Sequence, residues 1–395
     1  MEKSVLLVDQ FFPPDQATTA KLLETLAIAL KNRNLKVKVL TGKPAYAVVR
    51  NREPEKCNGV LVEKVFSTNF PRTSHVRRLI NQISFCVFAV PRILFTKEKR
   101  IILFSDPFLL PYAGPILKIF GKKYYFFMFD LYPDAISAYG IIKKNGTVFK
   151  IIDWLERCTI NSSEKTFVIG NEVKEKLVKE KKIRAAKVEV LGAWSNIGIP
   201  QMKNKKIKRL FGTDLRGKIA LMHAGNIGPA VDLNTLISVA ESLKKNKRIV
   251  FFVVGDGRKK KELEKAVKSK KLKNVKIAPY QKPENLLGVL NAADIQLVLF
   301  HKSFNGIGVP SKTYSAMALG KPIIAVAEND TATAKAVKSA DAGIVIQSGQ
   351  IQEFVKAIKT VSKNKKVLGA NAKKFIEKKH TADMAARKLE KILFP

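Results

Sequence analysis

Gly308-Val309-Pro310-Ser311-Lys312-Thr313-Tyr314-Ser315-Ala316-Met317-Ala318-Leu319-Gly320-Lys321-Pro322 runs directly into Ile323-Ile324-Ala325-Val326. It reads as a loop, a short helix opening with Ser-Lys, a glycine stop and a buried strand. A Ser-Lys pair in a first helical turn gathers backbone N–H groups, a hydroxyl and an ammonium around one point, which suits an anionic group such as a diphosphate. An ordinary helix-to-strand connection with a turn proline and a capping serine uses the same letters, so the segment alone leaves both readings open.

Outward from this segment the same alternation continues. Apolar runs at 5–9, 37–41, 101–106, 124–130, 166–170 and 188–192 read as buried strands, with 59–66 as an extra one. Most are separated by apolar residues at 3–4 spacing, such as Ala20-Leu23-Leu26-Ala27-Leu30 and Leu155-Ile160. After a Lys-rich polar stretch at 200–218, read as a linker, the pattern restarts with runs at 219–226, 249–257, 275–280, 295–300, 322–330 and 343–347. Continuous apolar runs between helices indicate parallel sheets covered on both faces. The expected fold class is therefore α/β, with two doubly wound domains in tandem. In such sheets ligands bind beyond the carboxyl ends of the strands, which for two facing domains means a central cleft.

The 395 residues suffice for two cores, and 46% hydrophobic with 27% charged residues describes a globular chain. Cys57, Cys86 and Cys158 are isolated, which points to a reducing compartment and away from a disulfide or zinc framework. His75, His223, His301 and His380 are too scattered to suggest a metal cluster. The formal net charge of +39 nominates nucleic acid, an anionic membrane surface or anionic small molecules as partners. No nucleic-acid-binding signature accompanies it. The basic residues are thickest at 202–218 and 258–276, the latter reading as an exposed helix. No targeting peptide is visible. The apolar helical stretch 83–95 is too short to span a bilayer, and it is flanked by Arg77, Arg78, Lys97, Lys99 and Arg100. It fits either a helix lying in a membrane interface or a core helix under a sheet.

Several strand ends carry residues suited to ligands. The first runs into Phe11-Phe12-Pro13-Pro14-Asp15-Gln16-Ala17, and another ends in Asp130-Leu131-Tyr132-Pro133-Asp134. A carboxylate there suits sugar hydroxyls, general-base work or an N-cap for the next helix. In the second half, His223-Ala224-Gly225-Asn226-Ile227-Gly228 and Val254-Gly255-Asp256-Gly257 both follow strands, where glycine lets a ligand approach the backbone. Neither has dinucleotide or Walker spacing, and there is no GxSxG elbow.

The order of these pieces resembles glycosyltransferase family 4, in its surface-polysaccharide branch similar to L-fucosamine and other aminosugar transferases. The pieces are Phe11-Phe12-Pro13-Pro14, Leu40-Thr41-Gly42-Lys43-Pro44-Ala45-Tyr46, Asp130-Leu131-Tyr132-Pro133-Asp134, Leu155-Glu156, the glycine motifs at 225–228 and 254–257, Ala293-Asp294, and the Pro-Ser-Lys segment with Gly-Lys-Pro. The resemblance implies a GT-B fold of two Rossmann-like domains. Residues 1–198 would bind the acceptor, 199–379 the nucleotide sugar, and a last helix within 380–395 would cross back to the first domain. It further implies transfer of a sugar, including N-acetylated aminosugars, to a polyprenyl-diphosphate-linked or glycan acceptor, with retention, without a metal and with no cofactor. Donor-side candidates are Gly225, Asn226, Gly228, Gly255, Gly257, Pro310, Ser311 and Ser315, with Lys312 and Asp130 as catalytic candidates. Phe12, Asp15 and Gln16 are the acceptor-side candidates. The expected location is cytoplasmic, peripheral on the inner face of the cell membrane, with no nucleic-acid partner.

The chain departs from the family pattern at informative places. Ile307 and Ser315 stand where the wider family has two glutamates, and Gly225-Asn226-Ile227-Gly228-Pro229 lacks the usual basic pair. Asp15-Gln16-Ala17 replaces a Gly-Gly, and no histidine closes the strand that carries Asp130. These losses shift the donor's charge onto Lys312. They also leave room for a sugar-nucleotide epimerase of the same fold or a non-catalytic membrane-bound relative.

Overall fold

The computed structural model describes residues 3–15, 17–44, 56–70, 74–195 and 209–395. The chain divides into two compact units: unit 1 is Met1–Asn196, Gly306–Val309 and His380–Pro395, and unit 2 is Ile197–Asn305 and Pro310–Lys379.

Unit 1 holds strands β1 (Ser4–Val8), β2 (Lys36–Thr41), β3 (Lys56–Cys57), β4 (Val60–Lys64), β5 (Ile101–Phe104), β6 (Tyr124–Met128), β7 (Thr166–Val168) and β8 (Val188–Val190). Their order is β3-β4-β2-β1-β5-β6-β7-β8, parallel throughout except for β3 against β4. Every residue of β5 and β6 is buried, as a sheet clothed on both faces requires. The covering helices are α1 (Thr18–Asn32), α2 (His75–Leu94), α3 (Gly114–Ile119), α4 (Asp134–Ala138), α5 (Thr147–Ser162) and α6 (Asn171–Lys179). In α1 the buried set includes Ala20, Leu23, Leu26, Ala27 and Leu30, the stripe that 3–4 spacing predicts. Ser74 caps α2 by accepting the Arg77 N–H, and Phe85, Ala89 and Ile93 seat that helix on Leu6, Ile101 and Leu103. Helix α5 departs from its apolar spacing. Ile160 is buried but Leu155 is not fully so, and the buried face is largely Asp153, Glu156 and Thr159.

In unit 2 a short hairpin, β9 (Arg209–Leu210) and β10 (Thr213–Asp214), precedes the sheet. It occupies part of the stretch read as a linker, whose residues 200–208 lie outside the described ones. The hairpin forms because Leu210 reaches the core beside Ala220 and Phe252, an anchor that the surrounding lysines mask in the sequence. Strands β11 (Ile219–Ala224), β12 (Ile249–Val254), β13 (Val275–Ala278), β14 (Ile295–Leu299), β15 (Ile323–Val326) and β16 (Gly343–Ile346) make a wholly parallel sheet in the order β13-β12-β11-β14-β15-β16. Helices α7 (Leu233–Ser242), α8 (Lys260–Ser269), α9 (Pro283–Ala292), α10 (Lys312–Ala318), α11 (Ala332–Ser339), α12 (Ile351–Lys363) and α13 (Lys365–Lys379) cover it. The last helix, α14 (Ala382–Leu393), packs on α1 within unit 1, where Glu390 accepts hydrogen bonds from Lys3 and Arg33, each at 2.8 Å.

Both sheets reverse strand order beside their first strand. In unit 1 the switch lies between β1 and β5, in unit 2 between β11 and β14. The loops at the carboxyl ends diverge there and leave a crevice for a ligand. The sequence places Asp9 and Asp106 after the two switch strands of unit 1, and His223 and Lys312 at that of unit 2.

Candidate functional site

In unit 2 the site is built around one contact. The Lys312 ammonium, at the first position of α10, donates to Nε2 of His223 in β11 at 3.1 Å. His223 is 0% exposed, and burial together with the adjacent Lys312 charge holds its imidazole well below the ordinary histidine value. With Nε2 accepting, the neutral ring carries its proton on Nδ1. That atom lies near backbone groups of Leu297 and Asn226 without a well-formed hydrogen bond to either. Burial lowers Lys312 to about 8. The result, among the described residues, is an ammonium with a neutral acceptor and no carboxylate partner, a state that an incoming anion relieves.

The glycines beside it do different work from one another. A Cβ on Gly225 would meet the Lys312 Nζ at 3.4 Å, an ordinary contact, so it is the backbone, at φ +129°, that favours glycine there. Gly255 (φ +150°) would place a Cβ 1.9 Å from the Gly225 carbonyl oxygen, and Gly257 (φ +155°) 2.5 Å from that of Ile227. The reading of these last two as openings for a ligand is therefore corrected: two strand-end loops lie backbone to backbone, and glycine is what that packing requires. Asn226 is exposed at the rim, and its side-chain nitrogen lies 2.9 Å from where Gly228 would carry a Cβ.

Pro310, Ser311 and Ser315 are half-buried around Lys312. Ser311 occupies the N-cap position in helical conformation and makes no side-chain cap bond, so the capping-serine reading does not hold. Ser315 Oγ donates to the Ser311 carbonyl at 3.3 Å. The Gly-Lys-Pro part of the motif is structural. Gly320 (φ +64°) ends α10, and Lys321 donates to the Asn291 carbonyl at 2.7 Å. Asp294 staples β11 by accepting the Ala220 N–H at 2.9 Å.

Unit 1 gathers carboxylates at its own switch point. Asp9 is fully buried; its Oδ1 accepts the Phe11 N–H at 2.8 Å and its Oδ2 has no partner. Burial, then Asp106, then Asp15 push its carboxyl well above the usual carboxylate range. Asp130 keeps part of its surface in solvent while protein atoms crowd it elsewhere. That crowding, and then Asp106, raise its carboxyl to about 7. Asp130 does not cap a helix, since the residue at the N-cap of α4 is Pro133. Its loop is held by the Leu131 N–H on the Ile307 carbonyl (2.8 Å) and by Lys181 on the Tyr132 carbonyl (3.3 Å). Phe12, expected to meet an acceptor, is 2% exposed: its ring belongs to the core. Asp15 is also buried, and Gln16 lies outside the described residues. Sequence reasoning missed Asp9 and Asp106; the available signal was a carboxylate one or two residues beyond three strands, at 9, 106 and 130. His223 was visible in a motif, but nothing in the sequence paired it with residue 312.

Lys312 titrates lower folded (about 8) than unfolded (10.5), so the unfolded chain binds more protons between those values and stability rises with pH across that window. Lys312→Met removes the buried charge. It should raise unfolding free energy at pH 7 by about 1–3 kcal/mol and abolish the rise between pH 8 and 10, read by urea denaturation. Equal stability of the two proteins at pH 7 and at pH 10 would contradict the burial.

Residues 204–382 match the family described as glycosyl transferases group 1. WbjE of Pseudomonas aeruginosa, named as a probable glycosyltransferase, is 26% identical over 280 residues, 66% of this chain and 66% of WbjE. WcaI of Escherichia coli (strain K12), named as a colanic acid biosynthesis glycosyl transferase, is 26% identical over 264 residues, 65% of this chain and 64% of WcaI. The chain thus spans about two thirds of the length of the curated relatives it matches. HepE of Anabaena, solved in complex with UDP-glucose, superposes with a TM-score of 0.70 over 99% of both chains at 15% identity. Residues 204–382 thus match the glycosyl transferases group 1 family, on a chain with the GT-B fold of two Rossmann-like units.

Proposed function

We propose that this chain transfers a sugar from a nucleotide-sugar donor to a lipid-linked or glycan acceptor in cell-surface polysaccharide synthesis. Unit 2 holds the donor and unit 1 the acceptor. The observation that carries the reading is the Lys312 ammonium, buried against neutral His223 at the switch point of a parallel sheet. A nucleotide sugar leaves a diphosphate behind when its glycosidic bond breaks, and a preorganised cation aimed at that group stabilises the departing charge. HepE's complex with UDP-glucose supports a donor of this class, and WcaI's name supports the polysaccharide context. Resemblance to the aminosugar branch favours an N-acetylated aminosugar.

In this mechanism the bond from the anomeric carbon to the diphosphate oxygen breaks, and one to the acceptor oxygen forms on the same face of the ring. The acceptor's proton passes to the departing diphosphate, and Lys312 takes the role a metal ion would otherwise fill. Asp130, ionised, accepts a hydrogen bond from another acceptor hydroxyl and orients it.

The acceptor side also suggests where the chain works. Among the described residues, all but three of the exposed large apolar side chains lie in unit 1, the three being Phe211, Tyr280 and Val367. On α2, Val76, Leu79, Ile80, Ile83 and Val87 form a second apolar stripe that faces solvent, next to Arg77 and Arg78. No described helix is long and apolar enough to cross a membrane. A basic chain with an outward apolar stripe suits the surface of an anionic bilayer.

A panel of UDP-, GDP- and dTDP-sugars tests the reaction; no turnover and no thermal shift with any of them contradicts it. With the active donor, kcat/KM should rise through about pH 7 as Asp130 ionises and fall above about pH 8 as Lys312 loses its proton. Asp130→Asn keeps an accepting oxygen and should lose only the acid limb; an acid limb that persists in it removes Asp130 from the account. In vesicle flotation, Leu79→Asp with Ile83→Asp should weaken binding to anionic vesicles about tenfold. Unchanged flotation, or tighter binding to duplex DNA than to vesicles, would count against the membrane surface.

A further inference from the structure

Helix α5 turns an unusual face outward. It buries Asp153, Glu156 and Thr159 and leaves Val148, Ile151 and Trp154 exposed, Trp154 at 62%. The chain's other tryptophan, Trp194, is packed edge-on against Phe127 in the core. The buried polar stripe has a local cause. Lys181, 5% exposed, donates to Asp153 and pairs with Asp134 at 2.8 Å, and Arg157 meets Asp153 at 2.7 Å. Lys176 pairs with Asp134 as well, at 3.0 Å. Those contacts account for Asp153 facing inward; they leave unexplained the outward-facing Trp154 and the buried Glu156, whose carboxyl oxygens have no hydrogen-bond partner among the described residues.

Trp154 rims a cavity of about 400 Å³ whose floor is this Lys181–Asp134–Asp153 cluster. Lys144 and Lys150 line the same cavity, and among the described residues neither side chain has a hydrogen-bond or ion-pair partner. Glu180 opposes them as one carboxylate, while the floor acids are already matched by Lys181, Arg157 and Lys176. The cavity therefore combines an indole face, two uncommitted ammonium groups and several oxygens fixed as acceptors. A flat indole meets the C–H face of a pyranose, carboxylate and amide oxygens accept its hydroxyls, and ammonium groups hold a phosphate. The volume is in the range of small-ligand pockets.

We infer that this cavity is a second carbohydrate site that takes a glycosyl phosphate, with the sugar on Trp154 and the phosphate between Lys144 and Lys150. The inference stands apart from the transfer reaction and needs no donor in unit 2. The ligand's chemistry is shared by a free sugar phosphate and by the head of a lipid-linked glycan.

The two tryptophans make the test direct, because Trp154 reports the cavity and Trp194 the core. Titrating the full chain with glucose 1-phosphate should change tryptophan emission saturably. Glucose and inorganic phosphate alone should each bind at least about tenfold more weakly. Trp154→Phe should abolish the signal, and Lys144→Ala with Lys150→Ala should weaken binding at least about fivefold. In neutral vesicles, a prenyl-linked glycosyl phosphate that binds more tightly than glucose 1-phosphate assigns the lipid-linked source, and one that binds equally or less tightly assigns the free one. No saturable change overturns the proposal. So does an equal response to inorganic phosphate, which marks a simple anion site, or a response to anionic vesicles alone, which marks a membrane contact.

Discussion

An ammonium that gives up water needs an acceptor, and in unit 2 that acceptor is a neutral ring. Lys312 meets Nε2 of His223 at 3.1 Å, and much of the surrounding architecture serves that contact. Parallel pairing of β11 with β12 and β14 buries His223 completely, which keeps the imidazole uncharged and able to accept. Gly225 turns the chain beside the lysine at φ +129°, and Gly255 lets the neighbouring loop close against Gly225. A carboxylate in place of His223 would pair with Lys312 and satisfy it; a neutral histidine leaves the positive charge available to a ligand.

Unit 1 solves a complementary problem in a chain of net charge +39. Its switch point gathers Asp9, Asp106 and Asp130; desolvation, and then the charge of Asp106, push Asp9 well above the usual carboxylate range and bring Asp130 to about 7. Hydroxyl-rich ligands suit carboxylates at a strand end, since carboxylate oxygens accept from sugar hydroxyls. The same unit carries most of the exposed apolar side chains among the described residues, so the proposed glycan recognition and the proposed membrane contact fall to one unit.

The sheets were legible from the sequence because their strands are buried on both faces and read as unbroken apolar runs, β6 (Tyr-Tyr-Phe-Phe-Met) most clearly. Where patterning failed, a specific contact had overridden it. Leu210 makes a hairpin out of a lysine-rich stretch, and Lys181 draws Asp153 of α5 inward while apolar residues of that helix face out. At the candidate site, Lys312 was legible from its motif, but its partner was not, because 89 residues separate the two and periodicity carries no information across that distance. Phe12 and the glycines at 255 and 257 were read as facing a ligand. Their environment is instead a packed core and a neighbouring backbone, which local sequence does not reveal.

Calorimetric titration of UDP into the full chain at pH 7, compared with Lys312→Gln, tests the central claim most directly. The account predicts affinity about 10- to 100-fold weaker for the variant, the loss expected when a charge-assisted contact to a diphosphate is removed. Equal affinity would contradict it and would leave the Lys312–His223 pair as a feature of the fold alone.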